Sequence, residues 1–288
     1  MTPAPWMGKV LARITLALGR VSPLRLASGP LNRRLRRDGG RPFTATAHDG
    51  ISLDAIFLPA TNKQPGRLPI IASHGLIEIK EFHEHGATLF RQHGHDVILY
   101  DLRSHGRSGG RFTTFGAWEK RDHSAVIDAA TQHGMIDGRV ISMGYSTSAA
   151  IVIQNAPLDD RVAAVVAIAP YADLTSAIKS FRRVLYGYWY NEAKLLQGFA
   201  AVAQERGFSM DEARTDEAMK QVTVPVLLMV GTADRNLPPH LHAERLAPLM
   251  QHKKSEFVRI PGAGHVTIYW RTRPKLDEAL LRFCAAMT

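Results

Sequence analysis

The chain has 288 residues, 45% of them apolar, enough to bury one large core, and a single cysteine, Cys284, which excludes any intramolecular disulfide. Its formal charge is +10, but residues 1–42 carry nine basic residues against Asp38 and so hold +8 of it, leaving the remainder at +2. A nearly neutral body with a basic arm points to an anionic surface met by that arm, a membrane or an acidic partner, or else to a solvated tail.

Within the arm, Trp6, Met7, Val10, Leu11, Ile14, Ala17, Leu18 and Val21 fall on one arc of a helix, with Lys9, Arg13 and Arg20 on a neighbouring one. Such an amphipathic helix either lies on a membrane surface or covers an apolar patch of the domain itself. The stretch Arg33–Arg41 has no interleaved aromatic residues, so no nucleic-acid partner is expected. No run of eighteen uncharged apolar residues is present, and Val10–Leu18 is short and contains Arg13, so a spanning helix is not expected. The arginine-rich continuation also makes a poor mature end for a signal peptide. The lone cysteine suits a reducing compartment, and the expected location is cytoplasmic, peripheral at a membrane if the arm binds one.

From Phe43 onward, short β-branched runs alternate with helical patterns, the order of a mostly parallel sheet covered by helices. Phe43–His48 and Ile51–Leu58 flank Asp49-Gly50, a hairpin signal. Leu68–Ser73, Asp96–Tyr100, Val140–Met143, Val162–Ile168, Val224–Val230 and Phe257–Ile260 read as central strands, giving eight in all. Helices are expected near Phe82–His93, Glu119–His133, Thr147–Asn155, Leu241–Gln251 and Leu276–Ala286. The long connection after the sixth strand reads as an inserted helical cap over about 171–222. Its Phe181, Tyr186, Tyr188, Trp189 and Tyr190 either line a substrate pocket or pack the cap. The expected organisation is therefore an arm over 1–42 and an α/β domain over 43–288.

The strongest chemical signal is Gly144-Tyr145-Ser146-Thr147-Ser148, lying between the strand Val140–Met143 and an apolar helix. A serine on such a strand-to-helix turn is held in a strained conformation, its oxygen exposed above the sheet, and small neighbours are needed because the backbones approach closely. Ser148 stands where the usual motif ends in glycine. Two later strands each deliver a partner: Gly231-Thr232-Ala233-Asp234 follows the seventh, and Gly262-Ala263-Gly264-His265 follows the eighth. Ser146 is then the nucleophile, His265 the base, and Asp234 the acid that fixes its tautomer, with Asp173 as a lesser alternative acid. The backbone N–H groups of Thr147 and of Leu76, in His74-Gly75-Leu76 after the third strand, are the expected oxyanion donors.

These residues, together with His48-Asp49-Gly50, Leu53 and Asp101-Leu102-Arg103-Ser104-His105-Gly106-Arg107-Ser108, resemble the α/β-hydrolase superfamily and, within it, the serine-aminopeptidase-like and esterase-like group. The Asp101 segment is similar to that family's D-x-R-G-x-G-x-S turn, with Ser104 where glycine is usual, and the segment Trp118-Glu119-Lys120-Arg121-Asp122 resembles members with a small cap. The resemblance implies an α/β-hydrolase fold over Phe43 to the C-terminus and structural roles for Asp101 and Arg103. It also implies an acyl-serine hydrolase acting on a small-molecule or lipid-like ester or thioester. An acyltransferase or peptidase with the same triad, or a non-catalytic binding protein of the same fold, are the alternatives.

His83, His85, His93 and His95, interleaved with Glu81 and Glu84, have poor spacing for a metal site, because His83 and His85 point to different faces of a helix and Gly94 parts the other two. No glycine-rich phosphate loop is present. Neither a metal nor a cofactor is expected. Cys284 lies in an apolar stretch and reads as packed.

Overall fold

The computed structural model describes residues 5–185, 191–270 and 273–287. Its strands are β1 (Arg41–Thr46), β2 (Ser52–Leu58), β3 (Ile70–Ser73), β4 (Val97–Tyr100), β5 (Val140–Tyr145), β6 (Val162–Ile168), β7 (Val226–Gly231) and β8 (Glu256–Ile260). They form one eight-stranded sheet in the order β1-β2-β4-β3-β5-β6-β7-β8. The pairs β1–β2 and β2–β4 are antiparallel and all the others parallel. Every residue of β3 through β7 is buried, which is why those strands read as unbroken apolar runs while β1, at the edge, alternates. The β1–β2 hairpin closes at Gly50, whose φ of +81° a side chain would resist.

The helices are α1 (Pro5–Leu16), α2 (Leu18–Val21), α3 (Arg25–Arg37), α4 (Glu84–Gln92), α5 (Glu119–Gln132), α6 (Thr147–Asn155), α7 (Leu174–Leu185), α8 (Glu192–Glu205), α9 (Thr215–Met219), α10 (Ala243–Leu246) and α11 (Arg273–Ala285). On one face of the sheet, Val126 and Ile127 of α5 and Ile151 and Val152 of α6 pack with Met219 and Leu246. On the other, Leu35 of α3, Ala87 and Phe90 of α4, and Leu280 and Phe283 of α11 close the second core. A third cluster joins α7 and α8, inserted between β6 and β7, to Ala12 and Leu16 of α1. The eight-stranded α/β class with its helical insertion is thus the one expected.

One local expectation needs correction, and two features of the arm are new. The helix expected over Leu241–Gln251 is broken: only α10 is α-helical, and the turn at Ala247–Leu249 contains Pro248, which lacks the N–H a helix interior needs. The arginine-rich stretch, for which no element is expected, forms α3. Its buried face is Ser28, Asn32 and Leu35, and two of these are anchored by hydrogen bonds to Glu81 rather than by apolar contact, so apolar periodicity gives little sign of it. Helix α1 covers an apolar patch of the domain, the second of the two fates open to it, but mainly beside its apolar arc, of which Met7 and Leu11 are partly buried while Trp6, Val10 and Ile14 are exposed. Gly8, Ala12, Thr15 and Leu16 are buried, and a Cβ at Gly198 of α8 would come within 2.2 Å of Gly8. Lys9 and Arg13 then pair with Glu205 at 2.8 and 2.9 Å, straps that solvent screens but that point α1 along α8.

Candidate active site

Strand β5 runs directly into Ser146, whose φ of +55° and ψ of −112° place it in a region that non-glycine residues rarely occupy. Its N–H is fixed by Ile168 O at 2.8 Å. The turn is tight enough that a Cβ at Gly144 would lie 2.3 Å from the backbone of Ser148. Ser148 is itself built in: its hydroxyl accepts Tyr145 N–H and donates to Ser73 O, both at 2.8 Å. A serine at this point therefore ties the turn to β3, which a glycine could not do.

The loops after β7 and β8 are laced together. Ala233 N–H reaches Ala263 O at 2.9 Å, Thr232 N–H reaches Ile260 O at 3.0 Å, and a Cβ at Gly231 would strike Ala263 O. This lacing delivers Asp234 and His265 to each other. Asp234 Oδ2 lies 2.6 Å from His265 Nδ1, and Asp234 Oδ1 accepts the N–H groups of Asn236 at 2.9 Å and Leu237 at 2.8 Å. His265 Nε2 lies 2.8 Å from Ser146 Oγ. Because a carboxylate only accepts, Nδ1 carries the proton, and Nε2 is free to accept from the serine hydroxyl.

The alternative acid, Asp173, is elsewhere. It accepts Ser176 N–H at 2.7 Å at the start of α7 and pairs with Arg245 at 2.9 Å. Cys284 is buried, and burial pushes its thiol up to about 12. The four histidines disperse: His83 lies beside Glu78, His85 beside Asp277, and His93 and His95 bond the carbonyls of Leu89 and Leu68. Among the described residues no group of three or more histidines, cysteines and acids could hold a metal. Of the cap aromatics, Phe181 is half-buried in the third cluster, and Tyr186, Tyr188, Trp189 and Tyr190 lie outside the described residues.

Across Ser146 from His265 lies the loop after β3. Ser73 is in register with Gly144, so His74-Gly75-Leu76 runs beside the Ser146 turn. The N–H groups of Leu76 and Thr147 have no acceptor among the described residues, whereas Gly75 N–H is taken by Glu78 Oε2 at 2.8 Å. Burial disfavours the Glu78 carboxylate, but His83 and the Gly75 N–H outweigh it and hold the carboxyl below its usual range. Ile77 has a φ of +67° and is clasped at both ends: Ser22 Oγ donates to its carbonyl at 2.8 Å, and its N–H faces His105 Nε2 at 3.4 Å.

Beneath the loop, Lys80 is fully buried and donates through Nζ to Asp101 at 2.9 Å and Glu81 at 3.0 Å, and it also pairs with Asp54. Asp101 further accepts Lys80 N–H at 2.8 Å and Arg107 N–H at 2.9 Å, so burial is overcome and its carboxyl stays far below the usual range. Arg103 forks onto both oxygens of Asp122 at 2.6 Å and reaches Asp49 at 2.9 Å. Ser104, in the glycine position of that turn, has a φ of +67°.

Tyr145, Glu78 and Lys80 escape the sequence reading. Tyr145 donates its hydroxyl to His265 O at 2.8 Å and sets its ring 5.3 Å from the imidazole, yet it fills the variable position of the serine motif. Glu78 and Lys80 sit in a segment without periodicity or motif, and two of the three carboxylates around Lys80, Asp54 and Asp101, are remote in the chain.

The profile of the Alpha/beta hydrolase family matches residues 74–276. Among curated proteins, the chain is 33% identical over 129 residues to a polyketide transferase of Aspergillus fumigatus, 43% of each chain. It is 32% identical over 126 residues to a thiohydrolase of Arthrinium phaeospermum, 42% of this chain and 40% of that one. The matched stretches thus span about two fifths of those relatives' length. Among solved structures, an esterase of Pyrococcus furiosus superposes with a TM-score of 0.69 at 17% identity, covering 86% of this chain and 92% of that one. An esterase of Thermogutta terrifontis gives 0.61 at 19% identity, covering 86% and 99%.

Proposed function

The chain belongs to the alpha/beta hydrolase family, and from that premise we propose that it is a serine hydrolase that cleaves a carboxylic ester through an acyl-serine intermediate. The observation that carries the reading is the continuous hydrogen-bonded line Asp234–His265–Ser146, at 2.6 and 2.8 Å, on a strained turn.

In this reading Ser146 Oγ attacks the acyl carbon as its proton passes to His265 Nε2, and Asp234 stabilises the imidazolium that forms. The oxyanion is received by the backbone N–H groups of Thr147 and Leu76, each such donor contributing roughly 3 kcal/mol to the transition state. Collapse of the intermediate breaks the ester bond, and His265 returns the proton to the departing alcohol. Water then repeats the sequence on the acyl-serine and frees the acid.

The likeness to a polyketide transferase and a thiohydrolase favours a second reading with the same first half-reaction: a thioester substrate, or an acceptor that replaces water. The complete line of three groups weighs against a non-catalytic scaffold.

Labelling with a fluorescent fluorophosphonate tests the chemistry. The wild type is expected to carry the adduct on Ser146, and folded Ser146→Ala and His265→Ala variants to carry none. A folded, accessible wild type that stays unlabelled would sink the reading. Product analysis with added alcohols or amines then separates hydrolysis from transfer.

A further inference from the structure

Helix α1 is amphipathic in an unusual sense. Its buried face is made of Gly8, Ala12, Thr15 and Leu16, with Met7 and Leu11 partly buried beside them, yet three of its large apolar residues are turned out to solvent. Trp6, Val10 and Ile14, four residues apart and hence on one face, are 62%, 36% and 48% exposed. Val21 of α2 and Leu26 of α3, next in the chain, are also exposed, at 66% and 85%. Five large apolar side chains left in water on one short segment are more than scattered surface residues require.

The same segment concentrates cations. Lys9 and Arg13 are occupied by Glu205, and Arg34 by Glu84. Arg20, Arg33, Arg36 and Arg37 are exposed and make no ion pair among the described residues. The arm therefore carries an apolar stripe with Trp6 in the first turn of α1, together with exposed arginines that have no ion-pair partner among the described residues.

Its position is specific. Ser22, between α2 and α3, bonds the carbonyl of Ile77 in the loop beside Ser146, and Ser28 and Asn32 of α3 bond Glu81, next to Phe82. Ile77 and Phe82 are themselves 45% and 47% exposed. The arm is thus anchored to the segment that borders the candidate active site, and that segment has exposed apolar residues of its own.

We propose that the outer face of α1 to α3 is a docking surface for an anionic phospholipid bilayer, which seats the mouth of the site at the membrane interface. Aliphatic and indole groups enter the headgroup–acyl boundary while the arginines meet lipid phosphates, the combination that distinguishes an interfacial helix from a nucleic-acid surface. No helix among the described residues is long and apolar enough to cross a membrane, so the contact is with one leaflet. The proposal goes beyond the proposed reaction and does not depend on it.

The test is co-sedimentation of the full chain with vesicles of phosphatidylcholine alone and of phosphatidylcholine mixed equally with phosphatidylglycerol. The wild type and Ser146→Ala are expected to bind the anionic vesicles alike and in a salt-sensitive manner, with little binding to the neutral ones. The double variant Trp6→Ser/Ile14→Ser is expected to weaken binding about ten-fold or more, and Arg33→Glu/Arg36→Glu to abolish the preference for anionic lipid. Both variants alter exposed groups, and unchanged circular dichroism and melting keep the comparison valid. Turnover of a soluble ester, where the wild type has it, is expected to stay unchanged, so a failed chemistry and a failed docking surface are told apart. Absence of wild-type binding, equal binding to both vesicles, or variants that bind like the wild type would overturn the proposal. So would a lipid-free dimer, seen by light scattering, that Trp6→Ser/Ile14→Ser dissolves, since the face would then belong to a second copy.

Discussion

On one side of Ser146, Asp234 and His265 stand on loops delivered directly by β7 and β8, and apart from the Tyr145 hydroxyl on His265 O their supports are bonds within or between those two loops. On the other side, the segment His74–Lys80 is held by residues gathered from three parts of the chain: Ser22 and His105 on Ile77, and Asp54 and Asp101 on Lys80, with Asp101 and His105 on one turn. The first side is a local device and the second a long-range one. A local device depends on a few positions whose loss is felt in the chemistry, whereas a long-range one couples the chemistry to the stability of distant elements.

The sharpest way to probe the local side is Asp234→Asn. The amide oxygen can still accept the Asn236 and Leu237 N–H groups, so the fold is expected to survive, but the amide N–H₂ facing Nδ1 favours the wrong imidazole tautomer. The expected loss in kcat is about 10⁴-fold. A loss under ten-fold in a correctly folded variant would break the comparison, because orientation by Asp234 would then matter little.

On the long-range side the largest effect is expected from Lys80→Met. Removal of the ammonium leaves Asp101 and Glu81 as buried carboxylates without their common cation, and Asp54 without its nearest one. Loss of one partner from such a cluster costs about 3–5 kcal/mol. Urea unfolding is the measurement, and a cost below about 1 kcal/mol would show that water already solvates the cluster.

Acid sharpens the contrast by reaching buried imidazoles. Burial pulls His105, His123 and His242 down to about 4, from an ordinary value of about 6.5 in the unfolded chain. The unfolded chain therefore binds protons between pH 6.5 and 4 that the folded chain refuses, so stability is full above that window and falls as pH drops through it. The expected slope is at most about 1.4 kcal/mol per pH unit for each group. His105 is the member that touches Ile77, and His105→Asn is expected to flatten the slope by about one group's share. A urea midpoint independent of pH from 7 to 5 would contradict this.

The same contrast governs what was legible in the amino-acid order. Ser146 and Asp234 follow buried apolar strands, His265 follows the partly exposed edge strand β8, and each lies close to a glycine, a pattern contained within a few residues; the structure brings Asp234 and Ser146 each within hydrogen-bond reach of His265. The eight strands were legible for the same reason, with ends off by one or two residues. Helix α3 was not, because two of its three inward residues are Ser28 and Asn32 and their partner Glu81 lies about fifty positions away. Which face of α1 packs stays open in the sequence, because close helix contact selects Gly8 and Gly198 over larger apolar side chains, a choice visible only once α8 is in place.

The smallest effect, and the most discriminating, is expected from Ser22→Ala. Ile77 is a β-branched residue at a φ of +67°, a conformation disfavoured by about 1–3 kcal/mol, and Ser22 Oγ holds its carbonyl while His105 faces its N–H. Losing one such hydrogen bond costs about 1 kcal/mol, a factor of about five. If the strain at Ile77 keeps the N–H of Leu76 aimed at the oxyanion, that factor is felt in kcat with KM nearly unchanged, and Ser22→Thr, which restores the hydroxyl, recovers it. If Ser22→Ala lowers the melting temperature and leaves kcat intact, the arm merely braces the loop. The long-range side of Ser146 would then serve stability alone, and the coupling between distant elements and chemistry would have to be sought through Glu78 and Gly75 instead.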